Sequence, residues 1–280
     1  MIRYTFLAAL SVIGLASACV PAVAESPPAI MQTVPADLPR PLVTQPPVDR
    51  AARILFVGNS YFYYNDSLHN HVQRMIAGSG ERPRSELTFK SATIGGAALQ
   101  DHAVAHLVDP ANHRLEEPFQ LVVMQGISSA ALSEEGRVRF SEAAQRHAAS
   151  IRSAGAVPVL YMTPAYTPPH RRYRPDMIGD VARLYIETAN SLDALVIPVG
   201  LAFAEAYRRR PDIVLHKTFD GSHPSLLGTY LAAATVLASL YGTSPVGNPY
   251  DYFGEVAAED AAFLQQVAQD TVREFYGRDE

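Results

Sequence analysis

Five short strand candidates, at 54–57, 87–92, 119–125, 157–162 and 194–199, punctuate the chain. The clearest of them, such as Ile54-Leu55-Phe56-Val57 and Leu121-Val122-Val123-Met124, show no polar alternation. A strand that is apolar on both sides must be covered on both faces, which is the situation of a parallel sheet. Parallel neighbours need a crossover between them, and segments with helical patterning fill the intervals. The patterning predicts helices at 65–78, 97–107, 133–153, 176–192, 201–209, 226–240 and 260–275. The expected fold class is therefore α/β: a three-layer sandwich with a mostly parallel five-stranded sheet and helices on both faces. The 226–240 segment is rich in alanine and very apolar, but Thr229, Tyr230, Thr235 and Ser239 interrupt it. That reads as a buried core helix and not a membrane span.

The first 50 residues stand apart. Arg3, an apolar stretch over 7–18 and Ala22-Val23-Ala24 fit an export signal over 1–24 with simple cleavage. A rival reading takes Ala16-Ser17-Ala18-Cys19 as a lipoprotein box, with the mature chain anchored by lipid at Cys19. Residues 25–50 carry Pro27, Pro28, Pro35, Pro39, Pro41, Pro46 and Pro47, a composition that suits an extended, flexible tether. Residues 51–280 remain for one α/β domain. Cys19 is the only cysteine of the 280 residues, so no disulfide and no cysteine-based zinc site is available to the mature chain. With 28 acidic and 23 basic residues, the net charge of −5 argues against a nucleic-acid partner.

The candidate chemistry lies at two remote places. The first apolar run ends in Gly58-Asn59-Ser60-Tyr61, so a serine follows a turn at the carboxyl end of a buried strand. Open α/β sheets place their ligands at that edge. Near the other end stands Asp220-Gly221-Ser222-His223-Pro224. Together, in this order, the two pieces resemble the first and last blocks of the SGNH (GDSL-type) hydrolases, in a Gly-Asn-Ser variant. The resemblance covers roughly residues 53–241 and implies a flavodoxin-like arrangement of the sheet. It also implies an esterase with Ser60 as nucleophile, His223 as base and Asp220 as its orienting carboxylate. No cofactor or metal is implied.

The same resemblance implies an oxyanion hole. The Ser60 backbone N–H is one donor. Gly96, with Gly95 beside it, follows the second strand where the family places a glycine. Gln125 stands where the family usually supplies an asparagine. Its amide is chemically equivalent on a longer stem, so a third donor is expected there. Asn59, Tyr61 and Gly95 are expected to contact substrate, Asn59 also bracing the turn. Tyr61, Phe62, Tyr63 and Tyr64 offer an aromatic wall for a sugar or acyl group, with packing the role of at least two of them.

Other histidines carry less. His69 and His71 are two apart and do not share a helical face. His102 and His106 are four apart, but no acidic partner accompanies them. His170 with Arg171, Arg172 and Arg174 could contact an anionic substrate, but reads first as a solvated loop. The expected function is an exported serine esterase, with O-acetylated carbohydrate as one substrate class. Two alternatives stand beside it: a non-catalytic carbohydrate-binding or envelope protein on the same fold, and a lipase or acyl esterase.

Overall fold

The computed structural model describes residue 30 and residues 32–278. The export signal and Cys19 lie outside the described residues. The sheet has five strands in the order β2-β1-β3-β4-β5: β1 (Arg53–Gly58), β2 (Thr88–Thr93), β3 (Leu121–Met124), β4 (Val157–Tyr161) and β5 (Leu195–Ile197). Every pairing is parallel, with Gly58 opposite Thr93 and Val57 opposite Met124 at the carboxyl edge. β1 lies between β2 and β3, and the chain leaves it first to one side and then to the other. That reversal opens a crevice at the end of β1 where an α/β sheet can take a ligand.

The helices are α1 (Ser60–Tyr63), α2 (Leu68–Gly78), α3 (Val104–Leu107), α4 (Glu134–Ser153), α5 (Met177–Ser191), α6 (Val199–Arg209), α7 (Leu226–Tyr241) and α8 (Ala258–Tyr276). The two-residue period of a strand sorts the core. Ile54 and Phe56 join the layer under α2, α6, α7 and α8. Leu55 and Val57 join the opposite layer, under α4 and α5. All four side chains are fully buried. Burying such a side chain contributes about 1.5–3 kcal/mol. α7 is enclosed almost throughout, as its composition predicts, and begins where Ser225 Oγ accepts the Gly228 N–H at 3.1 Å. Among the described residues no helix is long and apolar enough to cross a membrane. α4 begins similarly, with Ser133 Oγ accepting the Gly136 N–H and Glu134 and Glu135 in its first turn.

Two expected helices differ. The 65–78 helix begins only at Leu68, because Asn65, Asp66 and Ser67 all have positive φ (53°, 68° and 62°). The 97–107 helix is broken into a 3₁₀ turn, Leu99–Asp101, and the short α3. The Asp101 carboxylate accepts the Ala98 N–H at 2.8 Å and ends that turn early.

Residues 32–50 have no regular secondary structure, but they lie against the domain. Asn190 holds the arm twice, accepting from the Leu42 N–H at 2.8 Å and donating to the Arg40 carbonyl at 2.9 Å. Thr33 N–H donates to Pro175 O at 2.7 Å, and Arg278 Nε donates to Thr44 O at 2.6 Å. Val43 and Val48 pack on one core layer and Leu38 on the other. The side chains and carbonyls of this segment find partners on the domain.

Candidate active site

Ser60 opens α1 immediately after β1. Gly58 is required by a close approach: a β-carbon there would collide with Gln125 Oε1 and press on Phe62. Asn59 caps α1, its Oδ1 accepting the Tyr61 N–H at 3.2 Å. Its Nδ2 donates to Ala97 O at 2.8 Å and to Gly126 O at 3.2 Å. The serine turn is thus tied to the loops that follow β2 and β3.

The late segment forms a compact turn over 217–224. Asp220 Oδ1 accepts the backbone N–H groups of Ser222 (2.8 Å) and His223 (3.0 Å). Asp220 Oδ2 lies 2.5 Å from His223 Nδ1, and His223 Nε2 lies 2.8 Å from Ser60 Oγ. With Nδ1–H donated to the carboxylate, Nε2 is left to accept the serine proton. Burial works against the Asp220 charge. The bonds from the His223 ring and from the Ser222 and His223 N–H groups outweigh it and hold the carboxyl below its ordinary range.

Several contacts hold this turn against the serine. Asn65 Nδ2 lies 3.0 Å from Pro224 O, 2.9 Å from Ser225 O and 2.8 Å from Thr229 Oγ1. The Tyr64 ring stacks on the His223 ring at 4.4 Å and 19°, and Tyr63 stacks on Tyr64 in turn. Gly221 has φ +62° and accepts the Thr167 N–H at 2.8 Å; a β-carbon there would strike the Thr167 carbonyl. His216 forms an antiparallel bridge with Pro224. The His216 ring is buried between Phe203 and Tyr207, with Tyr207 OH 2.7 Å from Nδ1. Burial pushes it down from 6.5 to about 3, against an upward pull from Asp220.

The structure therefore brings Ser60, His223 and Asp220 into one hydrogen-bonded chain. It places three other predicted residues differently. Gln125 is fully buried, and both ends of its amide are occupied. Oε1 accepts the Asn59 N–H at 3.0 Å, while Nε2 meets Asn59 Oδ1 at 3.1 Å and the Gly126 carbonyl. Its longer stem folds back into the serine turn, so it braces Ser60 and does not face an oxyanion. Asn59 is 1% exposed and wholly engaged, so it supports the turn without reaching substrate. Tyr61 is 7% exposed, its hydroxyl held between Ser128 Oγ (3.1 Å) and Ser222 Oγ (3.2 Å). Burial raises its pKa far above that of a free phenol, so it stays a neutral hydrogen-bonding strut. Gly95 and Gly96 are exposed in the turn after β2, Gly96 with φ +72°. Among the described residues no acceptor takes the Ser60 or Gly96 N–H.

Tyr64 and Asn65 are the contributors that sequence reasoning passed over. Asn65 reads as a helix start in sequence, and only the folded chain shows its amide reaching the histidine turn. His102 and His106 do not form a pair: His102 is buried, and the His106 ring meets Asn112 at 3.1 Å.

No family model matches the chain, and no curated protein sequence matches it. Solved structures do. A protein from Slackia heliotrinireducens, provisionally named an SGNH hydrolase, superimposes over 68% of this chain and 99% of its own, with TM-score 0.55 and 23% identity. The fold is that of the SGNH hydrolases. A DUF4886 family protein from Bacteroides uniformis shares this SGNH fold over 78% of the chain and 93% of its own, with TM-score 0.60 and 19% identity. An acetyl xylan esterase, AlAXEase, does so over 67% and 98%, with TM-score 0.53 and 15% identity.

Proposed function

We propose that the protein is an exported serine esterase that cleaves carboxylic esters through an acyl-enzyme. The observation that carries this reading is the continuous chain Asp220 Oδ2, His223, Ser60 Oγ, with links of 2.5 and 2.8 Å. A serine hydroxyl is a weak nucleophile until a base can accept its proton as it attacks. In the first step Ser60 Oγ bonds to the ester carbonyl carbon, and its proton passes to His223 Nε2. Asp220 steadies the imidazolium through Nδ1. Nε2 then returns the proton to the departing alkoxide, and the alcohol leaves. Water attacks the acyl-serine in the reverse sense, releasing the acid and restoring Ser60.

The negative charge that develops on the carbonyl oxygen needs fixed donors. The free Ser60 and Gly96 N–H groups are the two proposed here. With Gln125 turned inward, the hole has backbone donors only. The acyl group is small in this reading and the alcohol is a carbohydrate. The stacked Tyr63 and Tyr64 rings beside His223 support a sugar-facing wall, and the structural neighbour named an acetyl xylan esterase supports acetyl as the acyl group. Export rests on the sequence of residues 1–24.

The test is hydrolysis of nitrophenyl esters of increasing chain length, and acetate release from acetylated xylan, by the wild type and Ser60→Ala. Activity on acetyl esters that falls by at least about 10³-fold in Ser60→Ala is expected. A rate that rises with acyl length would favour a lipase. Hydrolysis untouched by Ser60→Ala would overturn the proposal, and none on any ester would favour a non-catalytic binding protein.

A further inference from the structure

A second cleft opens on the carboxyl edge of the sheet. It has a volume of about 450 Å³ and is lined by Ser129 and Ser133 on one side and Arg171, Arg172 and Arg174 on the other. Its two walls are the 3₁₀ turn after β3, Ser128–Leu132, and the loop after β4. Both walls are bonded to the candidate active site. Ser128 Oγ donates to Pro164 O at 2.7 Å and meets Tyr61 OH at 3.1 Å. Thr167, at the base of the arginine loop, is clamped to Gly221 in the histidine turn.

The loop is ordered by its own bonds. His170 N–H donates to Thr167 O and Tyr173 N–H to His170 O, each at 2.9 Å, and Arg172 N–H donates to His170 Nδ1 at 3.1 Å. The His170 ring is fixed by stacking on Tyr166, with centroids 3.6 Å apart. Burial lowers the His170 pKa, and Arg172 and Arg171 lower it further, while Asp220 pulls it up. The arginine field thus reaches a ring that also senses the candidate catalytic carboxylate.

The surface arginines differ in their ion pairing, and exposed ones with no ion pair among the described residues include Arg40, Arg84 and Arg114 as well as two of this cleft. Arg208, Arg209 and Arg210 each meet a carboxylate. Arg174 is held by Asp176 and Asp180. Among the described residues Arg171 and Arg172 form no ion pair, although the chain as a whole carries a net −5. Two guanidiniums left unneutralised beside a preformed cleft suit an oxyanion, two of whose oxygens each can bind through two parallel N–H donors.

We propose that Arg171 and Arg172 form an anion subsite adjoining the Ser60 centre, so that the preferred substrates are esters carrying a carboxylate or sulfate, as on an acidic glycan. This rests on the esterase reading for its catalytic part; the binding part stands on the cleft alone.

The experiment compares acetate release from acetylated oligogalacturonides, acetylated sulfated oligosaccharides and neutral acetylated xylo-oligosaccharides. The enzyme forms are the wild type, Arg171→Ala/Arg172→Ala and Arg171→Lys/Arg172→Lys. The expected wild-type preference is about 10-fold in kcat/KM for one anionic class over the neutral one, collapsing at 0.5 M NaCl. The alanine pair removes that preference through KM, and the lysine pair keeps part of it. The class that is favoured identifies the anion. In parallel, calorimetry measures binding of unesterified trigalacturonate and of a sulfated trisaccharide to Ser60→Ala, with and without the alanine pair. Binding of either that disappears with the two arginines supports the subsite even where no ester is hydrolysed. A wild type without anionic preference, a preference the alanine pair leaves intact, or no binding of either anion would overturn it.

Discussion

His223 has partners on three sides: Asp220 at Nδ1, Ser60 at Nε2 and the Tyr64 face against the ring. A stacked aromatic of this kind is worth about 0.5–1.5 kcal/mol. Tyr64→Ala is therefore expected to lower kcat/KM by roughly 2- to 12-fold, with Tyr64→Phe close to wild type, since the ring and not the hydroxyl makes the contact. An alanine variant with unchanged kcat/KM and pH profile would reduce Tyr64 to ordinary packing. Gln125 provides an opposite signature. Gln125→Ala leaves the Asn59 N–H without a partner in a buried turn and Asn59 Oδ1 with only the Tyr61 N–H, at a cost of about 1–3 kcal/mol. The expected outcome is a lower thermal midpoint and less than about 100-fold loss of kcat. A group that donated directly to the oxyanion would instead lose 10²- to 10³-fold in rate at constant stability.

The turn over 217–224 is bridged to a buried imidazole. His216, bridged to Pro224, is held neutral down to about pH 3. Between about 6.5 and 3 the unfolded chain binds this proton and the folded chain does not, so stability declines as pH falls through that window. His216→Phe keeps a ring in the same space. A flatter dependence of the thermal midpoint on pH between 6.5 and 4 is expected, and an unaltered slope would show that His216 is not a source of it. At this scale much was legible. Each of the five strand candidates overlaps an observed strand; four are buried on both faces and leave an unbroken apolar signature, while β2, at the sheet edge, buries only Phe89. The break at His102–Ala103 was not, since Leu99, Ala103 and Leu107 keep a four-residue spacing whether the chain between them is α or 3₁₀. Nor was the start of α2, where three consecutive positive φ values free the Asn65 amide for the histidine turn. Ser60, Asp220 and His223 could be picked out by residue type and chain order. The direction of the Gln125 amide could not, because one added methylene decides whether it points out of the turn or back into it.

Over the whole molecule, the proline-rich arm over 32–50 acts as an edge support. Removing the residues before 51 strips Val43 and Val48 from one core layer, Leu38 from the other, and both bonds to Asn190. Such partly buried contacts contribute about 1 kcal/mol each before the cost of ordering the chain. A fall in thermal midpoint on the order of 5 °C is expected; a truncated chain that melts with the full-length one would show that the arm adds nothing.

The hydroxyl of Ser60 and the imidazole of His223 are separated by 163 positions along the chain. In the proposed mechanism neither alone cleaves an ester at a useful rate, so a newly made polypeptide would be chemically silent until its last third has docked. Cleavage activity then reports completed folding, and in a refolding time course it should appear only with the slowest structural phase.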